Sequence, residues 1–374
     1  MNIKALLKSL LLRKFTTGLL ILQLSITLGL LINSVILALD TNNKLAQETG
    51  LDIENTLIIS LRPTSGEYRN LDYYRSIVSE DLHQLSKLSG VEGVSLMNQL
   101  PINKNGMLGN FYDLDDPEII RKDKYLRDVK FFISNENLGN TLALALLEGR
   151  FLTKDDQLDF GRNEPGNVVI TNSLKKALYG DDSALGQETN NGRIVGVVKD
   201  IMLDPTIPVD KQYGVFDNRA MEFIFTGRFY LLRVTPGQVE AVRNKVSDTI
   251  LAVQAERDIY RIITIAEHMK RFYSHDKGLA QLFLLLCGLM IFVTAISSYA
   301  YSQFHISRQK KYIGIRRALG ARKKDILLYV LTENWLVYSI GCTLGLVMAL
   351  GFNILLSQYI SLSKPDIMLF ILAS

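Results

Sequence analysis

The sequence predicts an α-helical membrane protein that carries a large α+β domain outside the bilayer, and three observations predict it. Three stretches hold no charged side chain, 17–39, 278–301 and 335–356, of 23, 24 and 22 residues. Each exceeds the roughly 20 residues, at about 1.5 Å rise, that cross the ~30 Å hydrocarbon core of a bilayer. The 238 residues of 40–277 lie between the first two stretches, enough for one sizeable core or two smaller ones. Charge is also segregated. Residues 1–16 hold four basic and no acidic side chains and 302–334 hold eight basic and two acidic, whereas 40–277 hold 29 basic against 35 acidic. The net +4 hides this, and 48% hydrophobic residues would suit a soluble domain equally.

Basic side chains beside a span stay on the cytoplasmic side, because translocating them is costly. Lys4, Lys8, Arg13 and Lys14 therefore place 1–16 inside, and 302–334 is inside for the same reason. Region 40–277 is then outside. Stretch 17–39 reads as an uncleaved anchor. It exceeds the roughly 7–15-residue core of a signal peptide, and no small-x-small cleavage site follows. Segment 357–374 ends in an apolar run, 366–374, too short to span; we expect it to be the start of a fourth span.

Within 40–277 the pattern suggests an insertion. Residues 56–61 (TLIISL) read as a strand and 72–89 as a helix, with Tyr74, Ile77, Val78, Leu82 and Leu85 at helical spacing before Gly90. Residues 91–96 read as a short strand. The same order returns as strand 229–234, a Pro236-Gly237 turn, helix 238–256 and strand 260–265. Two β-α-β units thus flank a middle region, about 100–225. There, short strands at 130–134, 168–171 and 193–198 lie among Gly, Asn and Asp turns, as in a second, mainly β subdomain. A helix over 265–273 leads to the second span.

Several chemistries find no support. No G-x-x-x-x-G-K-[ST] loop is present, so ATP binding by this chain is not expected. Neither a G-x-S-x-G elbow nor an H-E-x-x-H helix occurs. The two cysteines, Cys287 and Cys342, both sit in apolar stretches, which excludes a disulfide framework outside the membrane. The four histidines lack ligand spacing, and His268 and His275 read as helix-surface residues. Asp113, Asp115, Asp116 and Glu118 lack the glycine and closing carboxylate of a calcium loop and read as a solvated turn. No Asp, Glu, Lys, Arg or His lies in the spans, which argues against an ion-coupled carrier. Gly341 and Gly345, with Ala349 continuing the spacing, offer a face for close helix packing, although glycine is also simply common in spans.

The basic stretch 307–335 is the most informative. Ile313, Ile315, Ala318 and Leu319 alternate with Gly314, Arg316 and Arg317. Gly320 interrupts, and a helix from Arg322 runs into the third span. A short amphipathic helix of this kind suits a groove on a soluble partner, or equally an anionic lipid surface. Here the sequence resembles a family. Residues 311–321 (KYIGIRRALGA), with Lys324, Asp325, Ile326 and Glu333, are similar to the signature of FtsX/MacB-type ABC transporter permeases, with Tyr312 where the family usually has Glu. The stretches 88–94, 148–151 (EGRF), 168–172, 178–180, 185–186 and 195–200, with Pro101, resemble successive landmarks of the MacB-like periplasmic domain.

The resemblance implies a porter-like periplasmic part with an inserted sabre-like part, four spans, and a chain that dimerises with an identical or a related permease. It implies a bacterial inner-membrane location and a separate or fused ABC ATPase that holds ATP and Mg, with no cofactor on this chain. Ile313, Gly314, Ile315, Arg316, Arg317, Ala318, Leu319, Gly320, Ala321 and Asp325 would form the element that docks on that ATPase. Such permeases turn ATP hydrolysis into periplasmic motion. A MacB-like member works with an adaptor and an outer-membrane duct to export peptides, antibiotics or other products; other members release lipoproteins or activate cell-wall hydrolases. Nothing points to nucleic acid. The alternative from another class is a membrane-anchored sensor with an external ligand-binding domain; only 302–334 would face the cytoplasm between spans, and no kinase, cyclase or DNA-binding domain follows.

Overall fold

The structure, a computed structural model, describes residues 14–114, 125–157, 166–219, 228–318, 320 and 322–359. Segment 1–13, Asp115, Asp116, Glu118, Leu319, Ala321 and the tail from 360, including the apolar run 366–374, lie outside the described residues. The chain divides into a sheet unit, Gln47–Phe272, and a helical unit formed by the chain on either side of it.

Helix α1 (Lys14–Leu45) runs past the charge-free stretch because Asp40 and Lys44, one turn apart, pair at 2.7 Å. In the sheet unit, β1 (Thr56–Pro63) leads to α2 (Leu71–Ser86) and β2 (Val91–Met97). Asn70 caps α2, its side-chain oxygen accepting from the Asp72 and Tyr73 amides at 2.9 and 3.1 Å. The helix stops at Ser86, earlier than its apolar spacing suggests. Lys87 is the C-cap, and Gly90 then turns the chain at φ +93°, in the left-handed region that favours glycine.

The insertion follows. It comprises β3 (Leu108–Phe111), β4 (Leu126–Ile133), a single turn α3 (Leu138–Thr141), β5 (Leu146–Gly149), β6 (Asn167–Thr171), α4 (Asn172–Tyr179), β7 (Glu188–Thr189), β8 (Gly192–Val198) and β9 (Gly214–Asp217). These strands make a mixed sheet in the order β3-β4-β9-β6-β8-β5, with β7 on β8; β4–β9 and β6–β8 are parallel. Its core gathers Phe111, Val129, Val168, Ile170, Leu174, Ile194, Val197 and Val215. Four strands escaped the sequence pattern: β3, β5, β7 and β9 are each four residues or fewer, too short for alternation to register.

The chain then returns as β10 (Arg228–Val234), α5 (Val239–Val253), β11 (Arg257–Thr264) and α6 (Ile265–Phe272). The two β-α-β units interleave. The sheet order is β11-β1-β10-β2 with every neighbour antiparallel, the double split β-α-β arrangement. Leu57, Ile59 and Leu61 of β1 meet Tyr74, Val78 and Leu85 of α2 and Val242, Val246 and Ile250 of α5 in one core. The α+β class expected from the sequence is thus present, with helices on one face of this sheet. One reading needs correction. His268, expected on a helix surface, is half-buried with its Nε2 enclosed and unbonded, and burial lowers its pKa; His275 is exposed.

Two charged contacts stand out in the sheet unit. Asp81 lies on the apolar stripe of α2 and is fully buried with Arg257 at the start of β11. Its carboxylate accepts from an Arg257 guanidinium nitrogen and from the Tyr230 hydroxyl at 2.7 Å, while Arg257 also donates to the carbonyls of Ile250 and Gln254. In the insertion, Asp156 is buried and accepts from both terminal nitrogens of Arg150 (2.6 and 2.8 Å), from the Thr153 amide (2.7 Å) and from Asn167 (2.5 Å). Burial alone would raise its pKa. The Arg150 guanidinium, the Asn167 amide and Thr153 outweigh that and hold the carboxyl well below the usual range.

The helical unit adds α7 (Ser274–Ala318, 45 residues) and α8 (Lys323–Tyr359, 37 residues). Windows Thr17–Leu45, Ser274–Ala300 and Asn334–Leu355 are long and apolar enough to cross a membrane.

Replacing Asp81 by Leu strands a buried guanidinium and should cost about 3–5 kcal/mol, whereas Asp81→Leu with Arg257→Met should recover most of it. Urea-dependent protease resistance of the sheet unit in the full chain measures both, and equal losses would show that the pair is not coupled. For Asp156 the sign follows from a depressed folded pKa. Its stabilisation is complete above the unfolded carboxylate value near ~3.9 and is lost as pH falls below that. Asp156→Asn should therefore weaken the chain by roughly 2 kcal/mol at pH 7, and the difference from wild type should shrink in strong acid.

Candidate functional site

The residues singled out by sequence fall at two places in the helical unit: the turn between α7 and α8, and the seam between α1 and α8. Residues 313–318 are the last turns of α7 rather than a separate short helix. Between the second apolar stretch and Gly320 there is no proline and only Gly314 weakens the helix, so nothing stops it. It ends at Ala318, Gly320 adopts φ +93°, and α8 begins at Lys323 with Asp325 in its first turn. A carboxylate there is favoured by the helix dipole, and glycine just beyond a helix end supplies the left-handed turn.

At this tip Ile315 is 50% exposed and Gly314 and Ala318 are exposed. A Cβ added at Gly314 or Gly320 would meet nothing within 4 Å. Ile315 and Ala318, three apart, share one face of the helix. Apolar exposure continues on α8 at Leu327, Leu328 and Trp335. The tip therefore offers apolar surface within a basic stretch. The side chains of Ile313, Arg316, Arg317 and Asp325 lie outside the described residues.

The seam is closely packed. A Cβ on Gly341 would sit 3.0 Å from Leu24 Cβ, and one on Gly345 would sit 2.9 Å from Leu28 Cβ and 3.2 Å from the Ser25 carbonyl oxygen. On the facing helix a Cβ on Gly29 would lie 3.5 Å from the Gly345 carbonyl oxygen and the Ala349 nitrogen. Ser25 Oγ donates to the Gly341 carbonyl at 3.0 Å, and Asn33 Nδ2 donates to the Ala349 carbonyl at 3.0 Å. Both bonds join residues 316 apart in sequence, so α1 and α8 run parallel. Helix α7 runs the other way along α1, Gln23 Nε2 donating to Thr294 Oγ1 at 3.0 Å and Ser34 Oγ lying 3.8 Å from Cys287 Sγ further along. Ser25, Gly29 and Asn33 were not singled out from the sequence. Their four-residue spacing, matching that of Gly341, Gly345 and Ala349, is the signal that marks them.

Both cysteines are free. Among the described residues no three His, Cys, Asp or Glu side chains gather as metal ligands would.

Two family profiles match the chain: the MacB-like periplasmic core domain over residues 18–249, and the FtsX-like permease C-terminal region over 284–373. The macrolide export ATP-binding/permease protein MacB of Chromobacterium violaceum is 25% identical over 62% of this chain and 37% of its own length. The MacB of Wolinella succinogenes is 21% identical over 89% of this chain and 50% of its own. The chain thus spans half or less of the length of these relatives. The crystallised periplasmic region of MacB from Actinobacillus actinomycetemcomitans aligns with 62% of this chain at 16% identity and a TM-score of 0.39.

The seam makes a direct prediction. Gly345→Leu presses on the Leu28 side chain and the Ser25 carbonyl and should destabilise the helical unit by about 1–3 kcal/mol, while Gly351→Leu, in open space, should be nearly neutral. Thermal aggregation of the detergent-solubilised chain compares the two.

Proposed function

The chain belongs to the MacB/FtsX family of ABC transporter permeases, and on that premise we propose that it is the membrane subunit through which a separate ATPase moves the external domain. The observation that carries the reading is the unbroken run of α7. At about 1.5 Å per residue its 45 residues make a rod of roughly 67 Å, more than twice the ~30 Å hydrocarbon core. The candidate span ends at Ala300, so 18 further residues carry the helix to an exposed tip at Ala318. A continuous hydrogen-bonded helix resists compression and bending, so force on the tip is passed along it.

In this reading the tip faces the cytoplasm, as the basic residues of 1–16 and 302–334 require, and residues 40–277 lie outside. Ile313, Ile315 and Leu319 enter a groove on the ATPase, and Arg316 and Arg317 meet its acidic or carbonyl groups. ATP and Mg are held by the partner. A second permease chain completes the transporter. Its most specific form is tripartite efflux with a periplasmic adaptor and an outer-membrane duct, exporting peptides, antibiotics or other products; the relatives' names, macrolide export, support that form.

Purification of the tagged chain from its native membranes in mild detergent should bring an ABC ATPase at one copy per permease. Ile315→Asp, or charge reversal at Arg316 and Arg317, should lower that yield at least tenfold without lowering the amount of chain in the membrane. No ATPase, where a control permease keeps its own, would overturn the proposal in favour of a sensor.

A further inference from the structure

Strand β2 is an edge of the four-stranded sheet, paired with β10 on one side only. An edge strand carries a row of unpaired amides and carbonyls. Successive residues of a strand direct these groups to opposite sides, and on the open side those of β2 are filled in sequence by residues of the insertion. The Asn98 amide donates to the Ile133 carbonyl at 3.1 Å, and two residues back the Leu96 amide donates to Asn135 Oδ1 at 3.1 Å. Met97 and Ser134 form an isolated antiparallel bridge between these positions. Residues 133–135 therefore act as a short fifth strand. The chain then turns into α3, and the next open-side position, Val94, forms no hydrogen bond there among the described residues.

This unfilled edge opens into a cleft of about 600 Å³. One wall is α2, which presents Ser79 and His83, and the other carries Asn140 and Lys154, with Glu136 alongside. The strand's outer face is covered, because a Cβ on Gly93 would lie 3.1 Å from Thr141 Oγ1. The edge is thus reached along the cleft and not from above. An extended chain advances about 3.4 Å per residue, so a strand of about four residues matches the open half of β2.

We propose that this edge binds a short, extended, free peptide as an added antiparallel strand that continues the line of residues 133–135. The peptide backbone exchanges hydrogen bonds with Val94, which gives affinity with little dependence on sequence. A cleft of about 600 Å³ lined by both α2 and α3 has room for one short extended segment, so the occupant is a single chain rather than the sheet edge of a second copy. Lys154 and Glu136 offer one charge of each sign to the termini of a free peptide. That the peptide is cargo rests on the export reading above; the strand addition does not.

The test uses the full chain in detergent with the free pentapeptide Thr-Val-Thr-Val-Thr as probe. Saturating peptide should slow amide hydrogen exchange in residues 91–97 at least tenfold at Val94, and the same peptide N-methylated at alternate residues should bind at least tenfold more weakly. Val94→Pro removes an amide that serves only the open side and should abolish binding, at a cost in stability because the Val94 side chain packs in the core. If that variant does not fold, the N-methylated peptide decides alone. Unchanged exchange at millimolar peptide, or equal binding of the methylated form, overturns the proposal. Binding is read without the ATPase. Peptide binding by a chain that carries no ATPase would leave the cleft standing and remove the transporter, and the reverse result would remove only the cleft.

Discussion

The sheet unit depends on one buried contact, the charge pair between Asp81 and Arg257. Asp81 precedes the insertion and Arg257 follows it, 176 residues later. Strands β3 to β9 leave the core sheet after β2 and return it to β10, so the four-stranded sheet forms only when two distant pieces of chain meet. Apolar packing brings α2 and α5 onto the same face, but such packing tolerates sliding. A desolvated carboxylate does not. With Arg257 and the Tyr230 hydroxyl on one side of it, a shift of α2 by one residue would leave two uncompensated charges in the core. The pair acts as a registration device for the split β-α-β units, at a stability no greater than an apolar replacement could supply.

The helical unit solves the same problem by another route. Lipid gives apolar helices no hydrophobic reason to associate, so packing distance and hydrogen bonding decide. Gly29, Gly341 and Gly345 let two backbones approach, and Ser25 and Asn33 then reach carbonyls across the gap. Their constant sequence offset sets the register of the two helices. The parallel course of α1 and α8, with α7 antiparallel to α1, matches the alternation that the charge distribution demands of three successive spans.

Much of this was legible in the residues because the signals were long. Charge-free runs above twenty residues, and helical stripes such as Tyr74, Val78 and Leu85, survive any uncertainty at their ends. The illegible parts share a cause: each depends on a partner distant in sequence. Asp81 interrupts the apolar stripe of its helix with no visible partner until Arg257 is beside it, and His268 reads as surface until the fold encloses its ring. The short strands of the insertion carry too few residues for periodicity. At the tip of α7, composition marked Ile315 and its neighbours as a separate short helix, whereas the absence of proline lets the preceding helix run on through them. Gly341 and Gly345 could be picked out as small, yet whether they packed on anything waited for Ser25 and Gly29.

The two faces of α2 join these themes. Its inner face holds Asp81 against Arg257 at the start of β11, and its outer face supplies Ser79 and His83 to the cleft along β2. Strand β11 passes directly into α6 and the chain then enters α7. A strand added beside β2 would restrict α2, and α2 cannot move relative to β11 without stranding a buried charge. Within the sheet unit the proposed ligand edge and β11 are therefore joined through α2 by a contact that permits little slippage. Apolar side chains of similar volume would supply equal stability there but would not fix the position of α2 against β11. The consequence within the sheet unit is that α2 and β11 move as one.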